Sequence, residues 1–423
     1  MRSYAPHVLC FAILAGPVLA QEVSTGEPVE LTLEAALARA LAQSPVLRAE
    51  NLQLQTAAAR IDTAALRPPL TLSADLENFA GSGALNTVDS AEATLRLGAV
   101  LELGGRRLRR SEVAERERDV LAAAAERRRL EILAEVATRF VEATQAQEAL
   151  TTWQDETRLA QATVAAVARR IEIGAAPRFE LGRARIALTQ AQIREEHAEH
   201  ELAASKRQLA ALLGEREPHF TRVRADLYAL PQTEPFEQLV TVLERNPDLR
   251  ALAAEERVAE ARIRLARAMR RPDVSTHLGV RHLEALGDTA LVAGISMPLG
   301  TSRRAQLAER EAIALRDRSG ELQQASRLQL EALLYELTLE LQHARLEFDA
   351  LRGPVFNESR MVVEQVERGF KEGRFGFHDY ALAQRELSDT RLGGIAAAGR
   401  FHRLLIEIER LTGSSAAPTR ERE

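Results

Sequence analysis

The sequence of 423 residues contains a single cysteine, Cys10. It lies within the first 20 residues, which we interpret below as a signal peptide, so the mature chain has no thiol. Such a chain can form neither disulfides nor thiolate metal sites, and a periplasmic location stays compatible with its composition. A lipoprotein signal has small residues just before its cysteine. His7-Val8-Leu9 stand there instead, so we expect no lipid anchor.

Aromatic residues and long apolar runs are also scarce. Aromatic residues make up 4% of the chain, although hydrophobic residues make up 46%. Much of this content is alanine, which suits closely packed helices better than a thick globular core. No window after the N-terminal segment holds about 18 apolar residues without charge, so no transmembrane helix is predicted. Arginine and glutamate are interspersed, and the net charge of −5 gives no basic field for a nucleic-acid partner.

Signatures of catalysis are missing as well. We find no Gly-rich phosphate loop, nucleophile elbow or paired-cysteine cluster, and we predict no enzymatic activity, cofactor or resident metal. His197 and His200 stand at i and i+3, a spacing able to hold a divalent ion. No third ligand is identifiable and both lie in a charged run, so we interpret them as a solvated helix face.

Glycine and proline are absent from Arg106 to Ile173, a stretch of 68 residues. Residues that favour helix dominate it, and its apolar residues recur at threes and fours. At about 1.5 Å per residue the stretch predicts an amphipathic helical rod of roughly 100 Å. A reversal at Gly174-Ala175-Ala176-Pro177 and a returning helix from Arg178 to Leu213 follow it.

The two ends of the chain differ from the rest. Residues 1–20 combine an early positive charge, a short apolar run and small residues at the −3 and −1 positions, which predicts a secretory signal peptide. Residues 21–30 form a polar leader. Residues 414–423 form a polar tail that we expect to be disordered.

Four segments alternate apolar and polar residues with a period of two, which is typical of β-strands. Each is about as long as the 9–11 residues with which a tilted strand crosses a bilayer. The predicted strands are 70–79, 91–101, 273–282 and 290–299. His277 alternates to the polar side, so we interpret it as a wall residue and not as a metal ligand.

The chain is an internal duplication. Ser44-Pro45-Val46-Leu47-Arg48-Ala49 reappears as Asn246-Pro247-Asp248-Leu249-Arg250-Ala251. We therefore predict one unit of helix, β-hairpin, long helix, turn and helix at 31–214 and again at 235–413, with a linker at 215–234.

The second long helix is predicted to be less regular than the first. The second unit begins with a short helix near Pro235, and the reversal of this unit at Gly373 matches the reversal of the first unit at Gly174. We expect Gly320 to interrupt the rod and Gly353-Pro354 to kink it.

Four strands are too few to close a barrel, since small closed barrels have about eight. Two copies would supply eight strands and three would supply twelve. Outward Leu, Val and Ala would then face lipid, while Thr, Ser, Asp, Glu, Arg and His would line a wet lumen. A barrel continued by long rods in an exported protein predicts a conduit through the bacterial outer membrane.

The residues at the reversals and junctions resemble the TolC family of outer-membrane efflux proteins, over residues 31–413. Segments 169–181 and 368–375, with 383–387, are similar to the family's two helical tips. Segments 101–107 and 297–299 resemble the strand-to-helix junctions of its heavy-metal-efflux, CzcC-like branch. The second junction lacks the aromatic residue and asparagine usual there, and the lipid-anchoring cysteine of many relatives is absent.

This resemblance implies a mainly α-helical fold with a β-barrel portion. It implies a homotrimer with a twelve-stranded barrel, four strands from each chain, and an α-helical periplasmic tunnel closed at its far end. It also implies docking onto a periplasmic adaptor and an inner-membrane, proton-driven RND pump, with the duct itself passive.

The same resemblance suggests two sets of site residues at the tips, where the glycines allow tight reversals. The candidate adaptor-docking residues are Gly174, Arg178, Glu180, Leu181, Gly373, Arg374, Phe375 and Asp379. The candidate aperture residues are Glu364, Glu367, Lys371 and Glu372. For the second set a plain alternative remains, a helix face with i, i+4 pairs such as Glu367–Lys371.

Together these patterns predict the outer-membrane exit duct of a tripartite efflux system, with heavy-metal cations as the substrate. A duct for drugs or for type I protein secretion is the alternative within this class. From another class, the alternative is a soluble periplasmic coiled-coil scaffold or adaptor.

Overall fold

The computed structural model describes residues 29–413, so the predicted signal peptide, most of the leader and the tail lie outside the described residues. Helices dominate this part of the chain. In chain order the helices are α1 Leu33–Gln43, α2 Pro45–Ala65, α3 Arg106–Glu172, α4 Arg178–Leu212, α5 Phe236–Val242, α6 Pro247–Ala268, α7 Thr301–Ala350, α8 Phe356–Lys371 and α9 Phe377–Thr412. No helix among residues 29–413 is apolar over a stretch long enough to cross a membrane.

Within the described range, six strands form two sheets. The strands are β1 Glu30–Thr32, β2 Thr71–Glu77, β3 Glu92–Leu101, β4 Arg222–Arg224, β5 Val274–Leu283 and β6 Asp288–Ser296. The larger sheet is antiparallel in the order β2-β3-β5-β6, so the two hairpins join through β3 and β5. The last strand begins two residues before the predicted start at 290 and ends three residues before the predicted end at 299. A tight turn with Gly287 at φ +66° brings the chain back early, and Pro298, which lacks an N–H group, follows the end of β6.

The two faces of this sheet differ in polarity, as the alternation predicts. One face carries exposed apolar side chains: Leu72, Leu76, Leu95, Leu97, Leu278, Val280, Leu291 and Ile295. On the other face Arg281 donates to Thr94 Oγ1 at 3.0 Å and pairs with Glu92 at 2.6 Å, while Arg96 pairs with Asp75 at 3.1 Å. The polar face is thus held together by charges that bridge three strands.

The helices keep the same lateral order as the strands. Near the sheet, α2 packs on α3, α3 on α6 and α6 on α7. Farther along α3, the order becomes α4, α3, α9 and α8. The 67-residue α3 therefore runs through both layers and holds the two repeats together.

The second rod differs from the prediction at one of two positions. The expected interruption at Gly320 is wrong, because α7 continues through it. A single glycine in a helix costs about 1 kcal/mol, which packing along a long helix offsets. At Gly353-Pro354 the regular helix does change, and a π-helical turn from Leu351 to Val355 separates α7 from α8. The wider turn accommodates the proline, which has no N–H group to donate.

The segment interpreted as a linker also contains structure. Its β4 pairs in parallel with β1, which lies where the sequence predicted leader and helix. Leu31 of β1, Val223 of β4 and Phe220, which lies two residues before β4, are buried against Phe140 and Leu213. Three-residue strands are too short to show a period in the sequence, so local patterns gave no sign of them.

Candidate functional site: the helical tips

The first tip is the reversal between α3 and α4. Gly174 adopts φ +74°, the left-handed conformation that favours glycine. The Ala175 N–H donates to the Arg170 carbonyl at 2.7 Å, and the Gly174 N–H donates to the Ile171 carbonyl at 3.0 Å. These bonds satisfy the last carbonyls of α3, and Pro177 stands immediately before α4. The turn is therefore specified by its own local sequence.

The second tip is the reversal between α8 and α9, and it repeats the design. Gly373 adopts φ +78°, and the Arg374 N–H donates to the Gly369 carbonyl at 2.8 Å. The Asp379 carboxylate accepts a hydrogen bond from the Gly376 N–H at 3.2 Å. Asp379 therefore caps its own helix, where a negative charge in the first turn is favourable.

A small hydrophobic core joins the two tips. It comprises Val167, Ala184, Phe370, Phe377 and Tyr380, all buried. The Phe370 and Tyr380 rings stack with centroids 5.1 Å apart at 14°. Burial, followed by the charge of Glu367, raises the pKa of the Tyr380 hydroxyl. At this core, apolar packing holds the two tips together.

Arg170 contacts both tips and the edge of this core. Its guanidinium lies 4.4 Å from the centroid of the Phe370 ring, a cation–π distance. It also donates to the carbonyls of Ala175, at 3.3 Å in the first tip, and Phe375, at 3.5 Å in the second. Sequence reasoning missed this residue. The position four residues before the tip glycine was a signal, but nothing local indicates which aromatic ring of the other repeat it meets.

The remaining predicted docking residues lie around the tips in different environments. Arg178 is exposed, while Leu181 packs against the tip core. Glu180 is half-buried and extends from α4 toward Gly376 of the second tip, and its Oε2 has no hydrogen-bond partner among residues 29–413. Phe375 packs its ring on Gly369 and stays 42% exposed. The structure brings the two predicted halves of the site to one end of the molecule.

Two exposed apolar residues at the first tip were not singled out from the sequence. Ile173 is 79% exposed and Phe179 is 61% exposed, one on each side of Gly174. The signal for Ile173 was its place beside a helix-ending glycine, and the signal for Phe179 was its place in the first turn of the returning helix. With Phe375 they give the tip region an apolar surface beside its charges, a composition suited to binding another protein.

The predicted aperture residues are paired within the chain. Glu367 and Lys371 form an i, i+4 ion pair at 2.6 Å, and this pairing raises the pKa of the Lys371 ammonium. Glu372 pairs with Arg374, and Glu364 lies 3.8 Å from Arg360. Two of these pairs have the i, i+4 spacing of the plain alternative, and the aperture role stays a prediction.

No metal site is formed by the described part of the chain, in which no three His, Cys, Asp or Glu side chains converge. His197 and His200 are both exposed on α4. His277 lies on the polar face of the sheet with its ring against Gly294.

Two stretches of the chain, 36–215 and 239–414, match the sequence model of the family described as outer membrane efflux protein. Over 383 residues the chain is 27% identical to the cobalt-zinc-cadmium resistance protein CzcC of Cupriavidus metallidurans, with 90% of each chain covered.

Solved structures of similar shape agree with this match. CusC, studied for its folding and transmembrane channel formation, superposes with a TM-score of 0.76 at 18% identity, over 92% of this chain and 93% of that one. The CmeC outer membrane channel of Campylobacter jejuni superposes with a TM-score of 0.73 at 14% identity, over 98% and 96%. At these identities the likeness shows the fold.

Proposed function

The chain belongs to the outer membrane efflux protein family, and from that premise we propose that it is the exit duct of a tripartite system that exports heavy-metal cations. It is an outer-membrane efflux channel with a periplasmic tunnel, and the predicted TolC-like fold is confirmed. The rival interpretation as a soluble periplasmic scaffold is wrong. The family is one of transport channels.

The lateral order of the elements supports a ring of identical copies. Among residues 29–413 each level has two outer elements, β2 and β6 in the sheet, then α2 and α7, then α4 and α8. Joining one edge to the opposite edge of the next copy pairs unlike surfaces, and such head-to-tail contacts form a ring when the rotation between copies closes. We propose three copies, as the resemblance implies, so that the apolar face meets lipid and the polar face lines the lumen.

The similarity to CzcC carries the proposal on substrate. It extends over 90% of both chains, so it includes the barrel, the tunnel and the tips. A passive duct requires weak contacts with its cargo, because tight binding would slow release. The polar lumen and the paired charges of the sheet fit such a role. We assign the selection of the metal to a proton-driven RND pump in the inner membrane.

A gene deletion tests the substrate. Loss of the gene should lower tolerance to cobalt, zinc and cadmium, and a plasmid copy should restore it, while tolerance to organic drugs stays unchanged. Lost drug tolerance with unchanged metal tolerance would replace this proposal with the drug-export alternative. Lost secretion of a protein, with both tolerances unchanged, would favour the protein-secretion alternative.

For the tips we propose docking of a periplasmic adaptor. The support is the exposed apolar and charged surface around Gly174 and Gly373. Both glycines are in left-handed conformations, and a Cβ added to either would have no neighbouring atom within 4 Å. A side chain at either position is therefore not blocked at its Cβ, but the backbone strain of a valine there is about 1–2 kcal/mol and favours another turn. The added strain changes the tip without disturbing its core.

Gly174→Val and Gly373→Val should each reduce cross-linking to the adaptor and reduce metal tolerance at equal protein levels. Gly182→Val is the matched control, since Gly182 also has open space around it but lies in α4 without a positive φ. Full cross-linking in both tip variants would remove the docking role from these turns.

A further inference from the structure

Five arginines are exposed where the strands of the large sheet join the helices. We call them the arginine belt: Arg67, Arg107, Arg271, Arg303 and Arg304. Two of them precede the prolines that lead into β2 and β5, and three lie in the first turns of α3 and α7. Both repeats therefore supply the belt. Within residues 29–413 none of the five side chains has an ion pair or hydrogen bond.

The carboxylates at these junctions are already engaged by other arginines. Glu102 pairs with Arg110 at 2.5 Å, and Asp273 pairs with Arg106. Glu309 is held by two arginines of α6 and the turn after it, at 2.8 and 2.5 Å. Within one chain the belt consequently keeps an uncompensated positive charge. The glycines that precede α3 and α7 give those helices no side-chain cap, so their free N–H groups add to this potential.

The belt borders the apolar face of the sheet. Exposed Leu101 ends β3, and exposed Leu70, Met297 and Leu299 continue the apolar positions beyond β2 and β6, with Leu299 87% exposed. The four strands contain no Phe, Tyr or Trp. Membrane barrels ordinarily place aromatic girdles at the two interfaces, so in this chain another residue type occupies the interface on the tunnel side.

We propose that the arginine belt binds the phosphate groups of anionic phospholipids in the periplasmic leaflet of the outer membrane. Arginine extends an apolar stem along the membrane boundary while its guanidinium forms paired hydrogen bonds with a phosphate. The tunnel continues from the belt into the periplasm, so the belt meets the phospholipid leaflet and not the outer surface. The belt anchors the ring at a defined depth, and this inference rests on the proposed ring of copies.

Native mass spectrometry of the purified full-length oligomer in neutral detergent tests the belt. The protein is mixed with equal amounts of phosphatidylglycerol and phosphatidylcholine of the same chain length. On the wild type the ratio of bound phosphatidylglycerol to bound phosphatidylcholine should be about five for one arginine contact and about 25 for two. Changing all five belt arginines to glutamine should abolish the preference.

A matched variant replaces five exposed arginines without ion pairs elsewhere in the described part of the chain: Arg185, Arg216, Arg250, Arg257 and Arg318, each to glutamine. It should keep the wild-type preference. Equal phosphatidylglycerol retention in the belt variant, or no preference in the wild type, would overturn the proposal. The mass of the oligomer in the same spectrum reports ring formation separately, so a failure of the ring is distinguished from a failure of the belt.

Discussion

The seam between the two repeats makes the sharpest stability prediction. Gly279 lies in β5 on the polar face, directly opposite Arg96 of β3. A Cβ at this position would collide with the Leu95 carbonyl oxygen and would lie 2.9 Å from the Arg96 Cα. Backbone atoms cannot rotate away as a side chain does. Gly279→Ala should therefore force β3 and β5 apart.

The magnitude follows from the contrast with a second glycine. Overpacking of this kind costs about 1–3 kcal/mol, and a backbone clash belongs at the upper end. Gly98 lies on the same face of β3, yet a Cβ there would lie 3.6 Å and 3.7 Å from its nearest neighbours, an ordinary contact. Gly98→Ala should raise the free energy of unfolding by about 0.5–1 kcal/mol, because alanine lowers the entropy of the unfolded chain.

The assay is the midpoint temperature for dissociation of the oligomer, read on a gel together with the fraction inserted in outer-membrane vesicles. Gly279→Ala should lower both and Gly98→Ala should lower neither. Gly294→Ala should fall between them, because its Cβ meets the His277 ring, which is able to turn aside. Equal midpoints for the Gly279 and Gly98 variants would refute the argument from the seam.

Other perturbations test the tips and the buried titratable groups. Arg170→Ala should weaken the contact of the tips by about 1 kcal/mol through loss of the Phe370 contact and speed hydrogen exchange there, whereas Arg169→Ala, exposed and without an ion pair, should not. Burial raises the pKa of Glu409 to about 7 from 4.5, so the folded state binds its proton more tightly. Stability should fall as pH rises from 4.5 through 7, and Glu409→Gln should raise the midpoint temperature at pH 8 but not at pH 4. Burial, then a neighbouring carboxylate, raises the pKa of Tyr228 to about 12 from 10.0, so stability should also fall between pH 10 and 12. Tyr228→Phe should remove this part of the loss of stability.

Much of the candidate site was predictable because helix reversals are specified locally. The tip glycines, the proline before α4 and the flanking charges are adjacent in sequence, and the structure places them in the expected turns. What those charges do was not predictable. Asp379 caps its own helix and Glu372 pairs with Arg374, because a carboxylate close to a free N–H or a guanidinium forms that bond first.

The sequence alone determined the elements and their faces. A stretch without glycine or proline can hardly avoid becoming a long helix, and alternation with a period of two assigns each strand an apolar and a polar side. Both are local properties, set by backbone propensity and side-chain spacing. They sufficed to predict a duplicated, outer-membrane duct.

The tertiary structure alone decided which elements meet. It joined the hairpins through β3 and β5, paired β1 with β4 across nearly 200 residues, and set Arg170 over Phe370. Contacts between residues so far apart depend on the summed packing of whole helices and strands. No short stretch of sequence records that sum.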